Sequence, residues 1–287
     1  MRTMLGRTLP DQESPYGEAW EISDRPEAMS IVKEGEWEGT TLHRLWQEHR
    51  QQLFGSGYER FPRFPLLCKV LDACDNLSVQ VHPPSRTAAN RDGEVKNEIW
   101  YILHALPESL IYGGMKEDAS LQDIRHAAET GTMEQLICSE HLEEGEHLYI
   151  PAGLVHAIGA GHLIAEIQQN SDTTYRLYDW NRTDANGNSR ELHLEQALDS
   201  IEEFRELCQQ PDYLTQMPHF STEEHHLSQG ESFTQPDSSR FAVFTVLRGT
   251  ITWDGKTAKQ GEFILSPVHA APVTALEENT VLLTTTV

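Results

Sequence analysis

Between Gly145 and His156 the chain runs GEHLYIPAGLVH, and this stretch limits the folds open to it more than any other. His147 and Tyr149 alternate with Leu148 and Ile150, the period of two that puts successive side chains on opposite faces of a strand. Pro151 and Gly153 then break the strand, since proline has no amide hydrogen for a ladder and glycine accepts a left-handed turn. A second strand resumes at once and opens on the inward imidazole of His156. Residues 165–168 read as a further strand. The polar run behind them ends in Arg176, a cation with no evident place in a core.

A second alternating segment is LSVQVHP, where Val79 and Val81 point one way and Gln80 and His82 the other. Two readings are open for this polar pair. It is a solvated face, as on a half-buried strand, or it lines the rim of a barrel, because Pro83 and Pro84 stop the strand directly after His82. Sixteen residues beyond His82, Glu98 sits in VKNEIWYIL, another strand, with Ile99, Tyr101 and Leu103 alternating. Gln80, His82, Glu98 and His156 together supply one carbonyl oxygen, two imidazoles and one carboxylate. Such a set suits zinc with a position left for water or substrate. With no cysteine in the set, it does not look like a closed structural zinc site.

Composition narrows the partners. A net charge of −23 over 287 residues argues against a nucleic-acid or anionic-membrane surface, which needs clustered Lys and Arg. A small anionic substrate needs only two or three local cations. The four cysteines form no CxxC pair, the N-terminus lacks an apolar leader, and no run of about 18 apolar residues exists. These features lead us to expect reduced thiols in a cytoplasmic protein with neither nucleic-acid nor membrane partners. No GxGxxG, GK[ST] phosphate loop, HExxH or GxSxG occurs, so nucleotide, metalloprotease and serine-hydrolase chemistries have no support.

The blocks PYGEAWEIS, FPLLCKVLDA, LSVQVHP, VKNEIWYIL, PAGLVHAIGAG and EIQQNSDTTYRLYDWNR resemble the type I phosphomannose isomerases in their shorter bacterial form. The Gly145, Pro151, Gly153, His156 spacing likewise resembles the second metal motif of the cupins. The resemblance implies a mainly β chain: a cupin-type jelly-roll barrel with flanking helices, plus a smaller, degenerate C-terminal cupin-like β domain. It implies one Zn2+ per chain on Gln80, His82, Glu98 and His156, and interconversion of mannose 6-phosphate and fructose 6-phosphate. Lys96 and Arg176 fall on residues placed beside the substrate, and Asp172 is a further catalytic candidate. The chain lacks the long helical insertion of larger family members.

The chemistry suits these residue types. Aldose–ketose isomerisation through an enediol moves a proton between neighbouring carbons while negative charge builds on oxygen, and a metal with one anionic ligand keeps net positive charge there. Arg176 offers a planar fork for phosphate or an enediolate, and Lys96 can shuttle protons if its pKa is lowered. The general base stays open among Asp172, Glu166 and a metal-bound water. Other readings remain beside these: Lys96 as a surface ion pair with Glu94 or Glu98, and Arg176 as a structural bridge to Asp172 or Asp179. A ferrous dioxygenase is disfavoured by Gln80 as fourth ligand. A non-catalytic sugar-phosphate sensor, or an isomerase of another sugar, is the alternative function.

In order along the chain, residues 15–38 read as opening strands and residues 41–55 as a helix starting at Thr41. Residues 189–209 read as a second helix, with Leu192, Leu194, Ala197, Leu198, Ile201 and Phe204 on its apolar face. The run STEEHHLSQGES, with His225 and His226, reads as an acidic loop. RFAVFTVLRG, TITWDGK, EFILSPV and NTVLLTTTV return to strands. Gly261 and Pro267 repeat the Gly145 and Pro151 spacing, but Pro272 stands where a metal histidine belongs, so the second copy is expected to lack metal and serve packing or assembly. The expected organisation is a catalytic domain over 1–200, a helix end and connector over 201–235, and the degenerate domain over 236–287, in a monomer or homodimer.

Overall fold

A computed structural model describes residues 2–8, 16–183, 186–202 and 219–287, with the side chains of residues 2 and 3 outside the description. Of the helix expected over 189–209 only Leu194–Ser200 is helical among the described residues; its last third, residues 203–209 with Phe204, and residues 203–218 of the connector expected over 201–235 lie outside them.

In chain order the elements begin with α1 (Arg2–Leu5), β1 (Glu18–Ile22), α2 (Leu42–Glu48), α3 (Arg50–Phe54), β2 (Leu66–Ala73) and β3 (Val79–Val81). Next come α4 (Ser85–Asn90), β4 (Glu98–Ala105), β5 (Ile111–Met115), α5 (Leu121–Thr130), β6 (Ile137–Glu140), β7 (His147–Ile150) and β8 (His156–Ile158). The middle of the chain closes with β9 (His162–Gln169), β10 (Tyr175–Tyr178) and α6 (Leu194–Ser200). The tail is all strand: β11 (Ser221–Leu227), β12 (Ser232–Phe233), β13 (Ala242–Arg248), β14 (Thr250–Trp253), β15 (Lys256–Lys259), β16 (Phe263–Ser266), β17 (Val273–Ala275) and β18 (Thr280–Thr286). The chain is mainly β, of cupin type, with the flanking helices its sequence announces. It divides into two compact units that interleave in sequence, one made of Met1–Val70, Ala165–Asn170 and Tyr213–Val287, the other of Leu71–Ile164 and Ser171–Asp212.

The second of these units holds a five-stranded sheet in the order β10-β3-β8-β5-β6 and the antiparallel β4–β7 ladder. Val79 and Val81 of β3 are buried in one core cluster with Ile124, Ala127 and Ala128 of α5 and Ala197 and Leu198 of α6. Helices therefore cover that face of β3, and strand alternation turns Gln80 and His82 to the opposite face. Helix α5 is held in place by a capping box between Ser120 and Asp123 and ends on left-handed Gly131, which satisfies amides and carbonyls that the helix itself leaves open. A separate cluster, with Trp100, Ile102, Ile111, Ile150 and Leu154, fills the space inside.

In the first unit Thr41 caps α2 by accepting from the Arg44 amide. The expected single helix over 41–55 is two, α2 and α3, because His49 (φ −126°, ψ 20°) leaves helical geometry between them. The break lets Trp46 and Phe54 meet Tyr58, Phe64 and Phe241 in a nest of ring contacts between 4.9 and 6.2 Å. All five rings are buried, each contributing roughly 1.5–3 kcal/mol by burial. The C-terminal strands form two four-stranded sheets, β11-β18-β13-β16 and β12-β17-β14-β15, around a core with Phe244, Val246, Ile251, Val273 and Leu282. STEEHHL is strand β11, not a loop: it lies at the end of its sheet and pairs with β18 over all seven residues. Charged side chains on such an edge strand obscure its alternation while discouraging edge-to-edge association.

The two β regions repeat each other bond for bond. Gly145 N donates to Ile102 O at 2.9 Å and Gly261 N to Val246 O at 2.8 Å; Ile102 N returns to Glu146 O at 2.9 Å and Val246 N to Glu262 O at 3.1 Å. The side chain of Glu146 accepts from the Glu143 amide at 2.6 Å, and that of Glu262 from the Lys259 amide at 2.7 Å. On this register Glu98, opposite Ile150, corresponds to Ala242, opposite Ser266.

Candidate metal centre

Each candidate ligand stands at a strand end. Strand β3 carries Gln80 and stops just before His82, β4 opens on Glu98, and β8 opens on His156, directly across from Gln80 in the ladder. The prolines after His82 and the Pro151–Gly153 turn before His156 are the local causes, because they end the pairing where the side chains must converge.

His82, Glu98 and His156 are fully buried, and one ligand atom from each lies within 4.8 Å of the others. His82 Nε2 stands 3.4 Å from Glu98 Oε2, and His156 Nε2 stands 3.4 Å from Oε1. Both distances exceed a good hydrogen bond. Each ring is fixed from behind, His82 Nδ1 on the Thr173 carbonyl at 3.0 Å and His156 Nδ1 on the Leu154 carbonyl at 2.9 Å. A carbonyl only accepts, so Nδ1 carries the proton in both rings and each Nε2 presents a lone pair. Among the described residues His82 Nε2 finds no hydrogen-bond donor. Two imidazole lone pairs and a carboxylate thus face one another in a buried site, an arrangement that a cation stabilises. His82, Glu98 and His156 can therefore hold a metal ion.

The electrostatics agree. Burial, with Lys96 nearby, pushes the His82 imidazole down to about 3, and burial lowers His156 as well. Both are neutral ligands at neutral pH. Burial opposes ionisation of Glu98, but Lys96 and His82 beside it hold its carboxyl well below the usual range. Gln80 Nε2 lies 3.3 Å from His156 Nε2. Exchanging the amide nitrogen and oxygen, which have the same shape, turns a carbonyl oxygen to the same point.

The surface-pair reading of Lys96 does not hold, because this lysine is buried with Nζ 2.9 Å from Glu98 Oε2. Arg176 on β10 is the register partner of Gln80, so their side chains share a face. Its Nη1 donates to the Glu191 carbonyl at 2.8 Å, and its Nε has no hydrogen-bond partner among the described residues. The carboxylate expected to bridge it, buried Asp179, instead takes Arg182 at 2.6 Å and Arg190 at 3.5 Å. Burial and then Arg190 hold the Arg176 guanidinium below the ordinary arginine range. Two guanidiniums therefore share the buried Asp179 carboxylate while that of Arg176 stands near them without an ion pair to it, which leaves positive charge for an anion. Asp172 is exposed on the loop between β9 and β10, next to Thr173, whose carbonyl orients His82. Glu166 is buried in the other unit with Oε1 3.7 Å from Lys69 Nζ.

Sequence reasoning passed over three residues. Asn97 Oδ1 accepts from Tyr149 Oη at 3.0 Å and from Ala152 N at 2.9 Å, pinning the turn that aims His156. Arg182 and Arg190 join Arg176 only through the chain path after β10, which has no periodicity to read. The loop that orients His82 is tied to the segment before Glu98, with Thr173 Oγ1 accepting from Glu94 N at 3.0 Å and Ser171 Oγ donating to Glu94 O at 3.0 Å.

Residues 1–104 match the family model described as phosphomannose isomerase type I, catalytic domain. A mannose-6-phosphate isomerase of Streptococcus mutans is 41% identical over 203 residues, covering 70% of this chain and 62% of that protein. The mannose-6-phosphate isomerase ManA of Bacillus subtilis is 42% identical over 201 residues, covering 69% and 62%. The matches thus span less than two thirds of the length of these curated relatives. A crystal structure of the mannose 6-phosphate isomerase from Bacillus subtilis aligns with a TM-score of 0.84 at 28% identity, covering 100% of this chain and 94% of that one. The resemblance carried by the sequence blocks extends to the family model, the curated relatives and the solved fold.

Proposed function

We propose that the chain is an aldose–ketose isomerase that interconverts mannose 6-phosphate and fructose 6-phosphate through an enediol, with one zinc ion per chain. The observation that carries this reading is the convergence of the His82, Glu98 and His156 lone pairs in a buried site beside Lys96, in a chain similar to mannose-6-phosphate isomerases. Two neutral imidazoles, a carboxylate and the Gln80 amide oxygen, with no thiolate, suit zinc in a site that keeps a position open.

When bound, the metal would supply positive charge against the oxygen on which negative charge builds. The chain's own groups do the rest. Glu98 offers its carboxylate to the metal and to Lys96 at once, which keeps the Lys96 ammonium at the rim of the metal site, where it can donate to a sugar oxygen. Arg176, with Arg182 and Arg190 behind it, holds the phosphate or the enediolate with paired donors. Asp172 is a candidate proton carrier at the exposed edge. Cys68, Cys74 and Cys138 stand as thiols rather than disulfides, which suits a reducing cytoplasm, and we place the enzyme there.

The test couples metal to turnover. Zinc content near one per chain is expected to track conversion of mannose 6-phosphate as metal is removed by a chelator and restored. Arg176→Ala is expected to keep the metal and lose roughly 100-fold in turnover. Metal binding without conversion of any hexose phosphate would favour the sugar-phosphate sensor, and an Arg176→Ala protein with full turnover would take that residue out of the mechanism.

A further inference from the structure

We propose that a cavity of about 300 Å³ in the C-terminal β region is a metal-free binding site for a neutral polyhydroxylated molecule the size of a monosaccharide. Its place follows from the internal repeat. The β13–β16 register sets Ala242 where Glu98 stands and Arg240 where Lys96 stands. Phe233 pairs with Val273, so one further step past the end of β12 sets Thr234 opposite Pro272 as Gln80 is set opposite His156, and the Ser238 carbonyl takes the His269 amide as the His82 carbonyl takes that of Gly153, which puts Ser238 at the place of His82. All four ligand positions have lost their ligands, so a divalent metal has nothing to bind there. The cavity is nevertheless walled by Gln235, Pro236 and Asp237, which lie between the counterparts of Gln80 and His82, and by Arg240 at the place of Lys96.

The rest of the wall is hydrogen-bonding. Ser221 and Glu223 of β11 stand across from Thr286 and Thr284 of β18 and share their face. Thr284 is only 6% exposed and its hydroxyl has no hydrogen-bond partner among the described residues, a cost of about 1–3 kcal/mol unless something in the cavity satisfies it. Arg240, which lines the cavity, donates from Nε to Tyr58 Oη at 3.0 Å and from one Nη to the Val287 carbonyl. Asp237 Oδ1 accepts from the Ser239 amide and hydroxyl, leaving Oδ2. The carboxylates of Glu223 and Asp237 disfavour an anion, and Arg240 disfavours a simple cation. Donors, acceptors and hydroxyls in one small concave space suit a ligand that carries both functions on every carbon, and the volume lies at the small end of ligand sites.

The site is read independently of the isomerase assignment, and its test keeps the two apart. The zinc-loaded full chain is exposed separately to D-mannose, D-glucose, D-mannitol and inorganic phosphate, and backbone hydrogen exchange is followed. At least one neutral sugar or polyol is expected to protect segments 221–223, 235–240 and 284–286, and phosphate to leave them unchanged. Glu223→Gln is expected to weaken that protection about 10-fold in concentration and Thr284→Val several-fold, while His156→Ala leaves it intact. Absence of protection with all three neutral compounds, stronger protection by phosphate, or protection that ignores both variants would overturn the proposal. If Thr284→Val fails to fold, Glu223→Gln at the open side of the cavity carries the test alone.

Discussion

At Pro151–Leu154 and again at Pro267–Ala270 the chain closes a turn with one bond, Leu154 N to Pro151 O at 3.1 Å and Ala270 N to Pro267 O at 3.3 Å. The third residue is left-handed in both, Gly153 at φ 94° and His269 at φ 56°. Each also hangs its amide on a carbonyl of the segment that arrives from β3 or β12, His82 at 2.9 Å and Ser238 at 2.8 Å. What differs is the side chains. A Cβ on Gly153 would meet the Cβ of Glu202 at 2.9 Å, so the first turn admits only glycine without a shift, whereas the second accommodates a histidine. Three residues on, the first copy offers His156 and the second Pro272. The same backbone is thus compatible with a metal centre and with none. Four side chains, and the contacts that aim them, make the difference.

The strongest way to break the contrast is to write the second copy's residue into the first. Glu98→Ala, which installs the equivalent of Ala242, is expected to weaken zinc by 100-fold or more, beyond the roughly 10–100-fold cost of losing an outer-shell partner, and to abolish isomerisation. Competition against a chromogenic chelator reads the first, and a coupled assay the second. Because one member of the buried Lys96–Glu98 pair is removed, stability should also fall by about 3–5 kcal/mol. Retained zinc would mean that the carboxylate is not a ligand.

A smaller effect is expected from Asn97→Ala, which strips the turn of the acceptor shared by Tyr149 and Ala152. Urea unfolding should show a loss of about 1–3 kcal/mol, with zinc affinity down about 10-fold; where the second copy has Phe241 at this position, no such acceptor exists. An unchanged denaturation curve would show that the turn holds itself. The finest comparison pairs Gly153→Ala with His269→Gly. The former meets both positive φ and the Glu202 contact and should cost about 1–3 kcal/mol. The latter should stay within about 1 kcal/mol of the parent, since relief of strain and the extra freedom of glycine in the unfolded chain oppose each other. Equal effects at the two sites would erase the distinction drawn between the turns.

Much of the site was legible because its residues sit on strands of period two. Gln80 and His82 share a face by alternation alone, and the prolines behind His82 mark the strand end. Glu98 and His156 could be added through chemistry and spacing. Lys96 was ambiguous in sequence, since nothing in GEVKNEIW tells a buried ammonium from an exposed one. Asn97 was invisible for a different reason: its partners are an amide 55 residues away and a phenol on β7, a match made only by the fold. The kink at His49 was equally hidden, because the apolar face of residues 42–54 continues through it. Strand β11 escaped because charges on an edge strand mask the alternation that would announce it.

The carbonyls of Thr173 and Leu154 decide the tautomers of His82 and His156, and a carbonyl is carried by every amino acid. Point substitutions at positions 154 and 173 therefore leave the electronic state of the two imidazoles almost untouched, provided the path of the chain is kept. Sensitivity moves from the identity of a side chain to the geometry of a loop. An inserted or deleted residue between Ser171 and Thr174 would shift the carbonyl behind His82 and free its ring to swing, silencing the centre while every ligand is still present.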